Sequence, residues 1–179
     1  RVLHEGVFSA ANGLYGITFT ERPELVSYNP EGRIFEVAEA DGTPIGLFVA
    51  DFYTRPGKQG GAWMNNLVDQ NHLLAQLPVV SNNSNLVKPP AGQPTLMTWD
   101  DVITLFHEFG HALHGLLSDT RYRSQSGTET PRDFVEYPSQ VNEMWALDEG
   151  ILSRYAVHHE TGEPMPAAWV ATLRGSTSA

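Results

Sequence analysis

The sequence predicts an α+β fold that is mainly α-helical, with a small antiparallel β-hairpin. Apolar residues recur at helical spacing in several stretches, and the longest of these begins near Trp99. Two runs rich in β-branched and aromatic residues flank the turn dipeptide Asp41-Gly42. With 179 residues, 41% of them hydrophobic, the chain is long enough for one domain with its own core.

The first part of the chain is expected to form a helix followed by the hairpin. Residues 2–20 place apolar side chains at helical spacing, and Gly13 and Gly16 are expected to loosen this helix into a turn. The hairpin strands are predicted at 34–39 and 45–53, because a glycine in the turn tolerates the positive φ that a tight hairpin needs.

A loop, a second helix and a linker are expected next. The glycine-rich residues 55–61 lack the GxxxxGK[ST] spacing of a phosphate-binding loop, so we do not predict a nucleotide site there. Residues 63–77 have helical spacing and are predicted to be a helix. An extended run is expected to begin at residues 78–80, and the proline-rich residues 88–94 are the clearest linker.

Two further helices are predicted in the second half. Thr98 and Asp101 have the spacing of a capping box, which predicts a helix that begins near Trp99 and continues to about Leu117. Thr130 is expected to cap the next helix, since proline follows it at the position where helices favour that residue.

Composition excludes several classes of protein. The formal net charge is −10, and residues 100–163 hold 12 acidic side chains against 4 basic ones, which argues against a nucleic-acid surface. No apolar stretch is long enough for a membrane helix, so no membrane partner is expected. The chain has no cysteine, which fits a cytoplasmic protein and limits metal ligands to histidine and carboxylate side chains.

The long helix contains an H-E-x-x-H motif formed by His107, Glu108 and His111. Residues four apart lie one turn apart on the same helix face, so both imidazoles can reach one zinc ion. Glu108 then lies beside the metal, where a carboxylate can act as a general base. The motif therefore predicts zinc ligands at both histidines and a catalytic role for Glu108.

A catalytic zinc site usually has a third protein ligand. Histidine ligands of the metzincin type require Gly and His seven and ten residues after His107, but His114 and Leu117 occupy these positions. Glu136 lies 25 residues beyond His111 on the next predicted helix, after a polar segment long enough to reverse the chain. It is therefore the predicted third ligand.

Two residues near the proposed ligands are expected to support the metal site or the fold without binding the metal. Gln140 lies one turn after Glu136, and its amide oxygen is expected to accept the free N–H of a ligand imidazole. His114 shares the ligand face but lies too far along the helix to reach the same ion, so we expect it to be structural or to contact a ligand residue rather than to bind the metal.

The sequences of these helices resemble those of a known protein family. The segments 104–118 (TLFHEFGHALHGLLS) and 126–146 (SGTETPRDFVEYPSQVNEMWA) resemble the thimet oligopeptidase family of zinc metallopeptidases. Residues 60–70 (GGAWMNNLVDQ) and the hairpin extend the likeness over most of the chain. Within the family, the pattern is most similar to the bacterial peptidyl-dipeptidase branch.

The resemblance implies one Zn²⁺ per chain on the residues that match His107, His111 and Glu136, with Glu108 as the general base. It also implies hydrolysis of short, unstructured peptides in a deep channel, with release of C-terminal dipeptides. The two ligand helices would then form a zincin-like pair within a larger, mostly helical peptidase.

Members of that family are several times longer than 179 residues. Residues 1–179 are therefore expected to be a single partial catalytic domain, with helical regions of the parent enzyme before and after it. Residues 1–90 are expected to supply a wall of the cleft, and residues 95–179 the zinc-binding helices. The oxyanion-stabilising His and Tyr residues of the family are expected outside this chain.

Three alternatives remain beside the dipeptide-releasing peptidase. The first is a truncated fragment that binds zinc or a peptide without turnover, because the oxyanion-stabilising residues have no match here. The second is an oligopeptide endopeptidase of the same family, since the sequence shows no residue that can be assigned to binding a free C-terminal carboxylate. The third, a structural helical domain, would leave the H-E-x-x-H motif and the delayed glutamate to chance.

Overall fold

The computed structural model describes residues 1–177, which form a five-stranded sheet packed against helices. The strands are β1 (Thr18–Glu21), β2 (Arg33–Ala38), β3 (Pro44–Tyr53), β4 (Trp63–Val68) and β5 (Val79–Leu86). The α-helices are α1 (Ser9–Tyr15), α2 (Trp99–Leu116), α3 (Arg132–Glu143), α4 (Glu149–Tyr155) and α5 (Ala167–Thr177). A π-helical segment precedes α1, and short 3₁₀ turns lie at Arg123–Gln125 and Met144–Leu147.

The sheet is larger than predicted, and it is mixed rather than antiparallel. Its order is β1-β2-β3-β5-β4. The β2–β3 hairpin is confirmed, with Gly42 at φ 88° in its turn. After β3 the chain forms the edge strand β4 and then returns between β4 and β3, so β5 runs parallel to β3 and antiparallel to β4. The expectation of a small antiparallel element was therefore only partly right.

The predicted helix over residues 63–77 is wrong. Residues Trp63–Val68 form β4, which pairs with β5, and Asn65 and Asn66 are poor helix formers. Beyond β4, Leu73 and Leu74 lie in a loop and are 63% and 65% exposed. Their exposure shows that residues 63–77 have no buried helix face. In the first part of this range, pairing with β5 determines the local structure.

The start of the chain is helical as predicted, but a strand follows earlier than expected. Gly13 lies inside α1, which ends at Gly16 in the left-handed conformation with φ 74°. Residues Thr18–Glu21 then form β1, which pairs with β2. The structure thus confirms the helix and the turn, while the first strand was not predicted.

An aromatic core joins the sheet to α2. Phe106 and Phe109 of α2 are fully buried, and the ring of Phe109 meets Phe48 of β3 edge to face at 5.2 Å. Phe8, from the helical start of the chain, lies against both Phe109 and Phe35. Burial of this apolar stripe fixes α2 on the sheet and leaves the opposite side of the helix, with His107 and His111, available to α3.

The start of α2 is as predicted. The hydroxyl of Thr98 accepts a hydrogen bond from the Asp101 N–H at 3.1 Å, and the Asp101 carboxylate accepts one from the Thr98 N–H at 2.9 Å. The start of α3 is one residue later than predicted, with Pro131 rather than Thr130 at the N-cap. In the described part of the chain, no helix combines the length and apolar character needed to span a bilayer.

Candidate metal centre

Helices α2 and α3 bring together the three residues that the sequence marked as metal ligands. His107 and His111 lie one turn apart on α2, with ring centroids 4.9 Å apart. Oε2 of Glu136, on α3, lies 3.2 Å from Nε2 of each histidine. Among the described residues, these three form a group that could hold a metal ion.

The dimensions and chemistry of this group fit zinc. A tetrahedral zinc ion with bonds of about 2.0–2.1 Å separates its ligand atoms by about 3.3 Å, close to the 3.2 Å measured between the glutamate oxygen and each imidazole. Two imidazoles and one carboxylate are also a ligand set of catalytic zinc sites. The Glu136 side chain is 51% exposed, so the group is open on one side.

A glycine allows α3 to approach α2 closely enough for this geometry. A Cβ atom at Gly110 would lie 2.6 Å from Cα of Ser139 and 2.8 Å from the carbonyl oxygen of Pro138. Asn142 holds the contact one turn further on, since its side-chain amide donates to the Phe106 carbonyl at 2.6 Å. The backbone contact at Gly110 therefore sets how far Glu136 lies from the histidines.

The environments of Glu136 and His111 favour the protonation states that bind a metal. A hydrogen bond from the Ser139 hydroxyl, together with the two nearby histidines, lowers the pKa of Glu136 and keeps it ionised. Burial lowers the pKa of His111, which favours the neutral imidazole. An ionised carboxylate and a neutral imidazole are the forms that coordinate a metal.

A further carboxylate that the sequence did not identify orients His107. Oε1 of Glu143 lies 2.6 Å from Nδ1 of His107, which leaves Nε2 directed towards Glu136. Gln140, the predicted partner of a ligand imidazole, is exposed and makes no hydrogen bond to either histidine in the described structure. Glu143 lies seven residues after Glu136, two turns along the same helix face, and that spacing was the available signal.

Glu108 lies beside the metal-ligand group and lines a cavity of about 260 Å³ between α2 and the carboxyl end of β5. Gly61, Ala62 and Ser84 also line this cavity. Burial raises the pKa of Glu108, with an opposing effect from His107 and a further rise from the charge of Glu136. The carboxyl group is thus half-buried next to a space that a small substrate segment can enter.

His114 is not part of the metal-ligand group. Its ring lies against Phe134 of α3, with centroids 6.1 Å apart, and burial lowers its pKa. A structural role for His114 stays a prediction.

Fold and site together define a class. An H-E-x-x-H helix with a glutamate from a second helix is the arrangement of a metallopeptidase. The chain belongs to Peptidase family M3, whose sequence pattern matches residues 1–179.

Curated relatives agree with this assignment. The chain is 55% identical to the dipeptidyl carboxypeptidase of Salmonella typhimurium and 53% identical to that of Escherichia coli, over 93% and 92% of its own length. It is 41% identical to oligopeptidase A of Salmonella typhimurium over 90% of its length. In each case it spans 24% of the relative, so it corresponds to about a quarter of these enzymes.

Proposed function

We propose that the intact protein carrying this chain is a zinc-dependent peptidase that removes C-terminal dipeptides from short peptides. The observation that carries the proposal is the convergence of His107, His111 and Glu136, with Glu108 beside them at the wall of a cavity. The higher identity to the dipeptidyl carboxypeptidases than to oligopeptidase A supports dipeptide release over internal cleavage.

In this proposal the three ligands hold one zinc ion, and Glu143 keeps the His107 ring in the orientation that presents Nε2. A bound zinc ion supplies Lewis-acid chemistry, which activates water and polarises a peptide carbonyl. Helix α2 places Glu108 next to His107, and α3, which packs against α2, supplies the third ligand, Glu136.

Glu108 is the proposed general base. Its carboxylate takes a proton from the attacking water and then transfers that proton to the amine of the leaving dipeptide. The raised pKa of Glu108, caused first by burial, suits a group that must both accept and release a proton. The nearby cavity of about 260 Å³ can hold a small segment of a peptide next to Glu108.

The test uses the intact protein and N-acetylated peptides, with products identified by mass spectrometry. We expect dipeptides from the C-terminus, loss of activity on chelation, and recovery when zinc is added. Glu108→Gln should keep zinc and lose activity by about 10²–10⁴-fold, the usual contribution of a general base. Glu163→Gln, at an exposed glutamate outside the site, is the matched control.

The endopeptidase and the metal-binding alternative have their own outcomes in this assay. Internal cleavage products would favour the oligopeptide endopeptidase. Stoichiometric zinc with no cleavage of any peptide would favour a metal-binding protein without turnover. Full activity in Glu108→Gln with zinc still bound would refute the proposed mechanism.

A further inference from the structure

A buried ion pair lies at the carboxyl end of β3, away from the metal-ligand group. The side chains of Asp51 and Lys58 are 1% and 2% exposed, and their charged atoms are 3.0 Å apart. Arg55 donates a second charged hydrogen bond to Asp51 at 2.8 Å, and Asn29 donates another at 3.0 Å. The carboxylate is thus fully enclosed by donors.

Lys58 also connects separate parts of the sheet. Its ammonium group donates to the carbonyl oxygens of Asp51 and Tyr53 on β3, at 2.8 and 3.0 Å. It donates as well to the carbonyl of Ser84 on β5, at 2.6 Å. One side chain therefore ties the loop after β3 to the ends of two neighbouring strands.

That loop, residues 55–61, has little apolar packing of its own. Gly57 and Gly61 have φ of 80° and 87°, and a Cβ atom at either would meet nothing within 4 Å. Besides Lys58, the amide of Asn85 holds the loop from β5, donating to the carbonyls of Gln59 and Gly61 at 2.7 Å each. Polar bonds to the sheet, rather than burial, hold this loop in place.

The same loop forms one wall of the cavity beside Glu108. Gly61, the last residue of the loop, lines the cavity together with the adjacent Ala62 and with Ser84, whose carbonyl accepts a hydrogen bond from Lys58. A shift of the loop would therefore change the width of the space next to Glu108.

A contribution to folding stability does not by itself explain why the protein has this buried ion pair. Replacing a buried pair with apolar side chains is often neutral or stabilising, because both charges lose their hydration in the folded state. The lysine at this place has the additional property that it makes three carbonyl contacts across two strands. Those contacts determine where the glycine-rich loop lies.

We propose that Lys58 is a positioning residue that holds loop 55–61 as a wall of the substrate cleft, where an extended peptide segment binds. The proposal rests on the proposed peptidase function, since it assigns the cavity to a peptide. Lys58 acts through the loop and does not touch the reacting atoms.

The test compares Lys58→Met with the wild type in the intact protein. We expect KM for a short peptide to rise by roughly ten- to a hundredfold, because loss of a positioned wall weakens substrate binding, while kcat changes little. Zinc content should stay the same, and hydrogen exchange across residues 59–62 should become faster. Lys88→Met, at an exposed lysine that pairs with Glu31, should change none of these.

A second variant separates positioning from stability. Lys58→Met alone leaves the buried Asp51 without its buried partner and should lower thermal stability. The double variant Asp51→Asn with Lys58→Met removes both buried charges, and only the partly exposed Arg55 then loses a charged partner, so thermal stability should be higher than in Lys58→Met alone. KM should remain high, because the loop still lacks its anchor. A return of KM to the wild-type value together with stability would overturn the proposal.

The remaining outcomes are also decisive. Unchanged KM and unchanged exchange in Lys58→Met would refute the positioning role, as would a fall in zinc content and kcat at constant KM. If the wild type hydrolyses no peptide, the proposed function fails by itself. Hydrogen exchange then still tests the anchoring of the loop, and exchange unaltered by Lys58→Met would overturn it.

Discussion

Replacing Gly110 with alanine is expected to separate the two ligand helices. The new Cβ atom would lie 2.6 Å from Cα of Ser139, and this distance must increase by about 0.8 Å to reach the 3.4 Å of ordinary van der Waals contact. The opposing atoms belong to the backbone of α3, so no flexible side chain can move aside. Overpacking of this kind costs about 1–3 kcal/mol.

The same shift should weaken the metal site. Glu136 lies on α3, and its Oε2 atom is 3.2 Å from each histidine nitrogen, so a displacement of α3 moves one ligand away from the other two. We expect zinc affinity to fall by about tenfold or more, in the range seen when outer contacts of a zinc site are lost.

The assay pairs zinc titration against a chromophoric chelator with thermal unfolding of the metal-free protein. Gly13→Ala is the matched control, because Gly13 also lies in a helix but a Cβ there meets nothing within 4 Å. That control should be neutral or stabilising by up to about 1 kcal/mol. Wild-type zinc affinity and stability in Gly110→Ala would refute the argument that this glycine sets the helix spacing.

Two further predictions concern carboxylates. Glu143→Gln should lower zinc affinity by about 10–100-fold, because His107 loses the carboxylate 2.6 Å from its Nδ1, while Glu160→Gln should leave the affinity unchanged in the same titration. Burial acts to raise the pKa of Asp51, but hydrogen bonds from the neighbouring cations outweigh it and hold this pKa below the usual 3.8. The stability that ionised Asp51 contributes is therefore present above about pH 3.8 and is lost as the pH falls through the lower folded value. Thermal unfolding should show a difference between wild type and Asp51→Asn at neutral pH that shrinks below pH 3.8, and a constant difference would contradict this assignment.

The ligand helices could be predicted because their signals are local. The capping box at Thr98 and Asp101 marks the start of α2, and the helical repeat places His107 and His111 on one face. The length of the intervening segment predicts that Glu136 can approach the histidines. The backbone contact at Gly110 that sets its distance depends on how two helices pack, which no local pattern specifies.

The sheet was harder to predict because its strands pair with distant residues. Asn66 of β4 pairs with Val80 of β5, and Asp51 of β3 with Asn83. Within β4 the apolar spacing also fits a helix, and only the partner strand resolves the ambiguity. Lys58 shows the same limit, since its carbonyl partners on two strands meet only after the sheet has formed.

X-ray absorption spectroscopy at the zinc edge of the zinc-loaded intact protein tests the proposed metal site most directly. A zinc ion on the proposed ligands should show two imidazole nitrogens at about 2.0–2.1 Å together with oxygen ligands, and His111→Gln should lose one imidazole contribution. His159→Gln, at a histidine outside the metal-ligand group, should leave the spectrum unchanged. A spectrum with fewer than two imidazoles in the wild type, or one that His111→Gln does not alter, would contradict a zinc site on His107, His111 and Glu136.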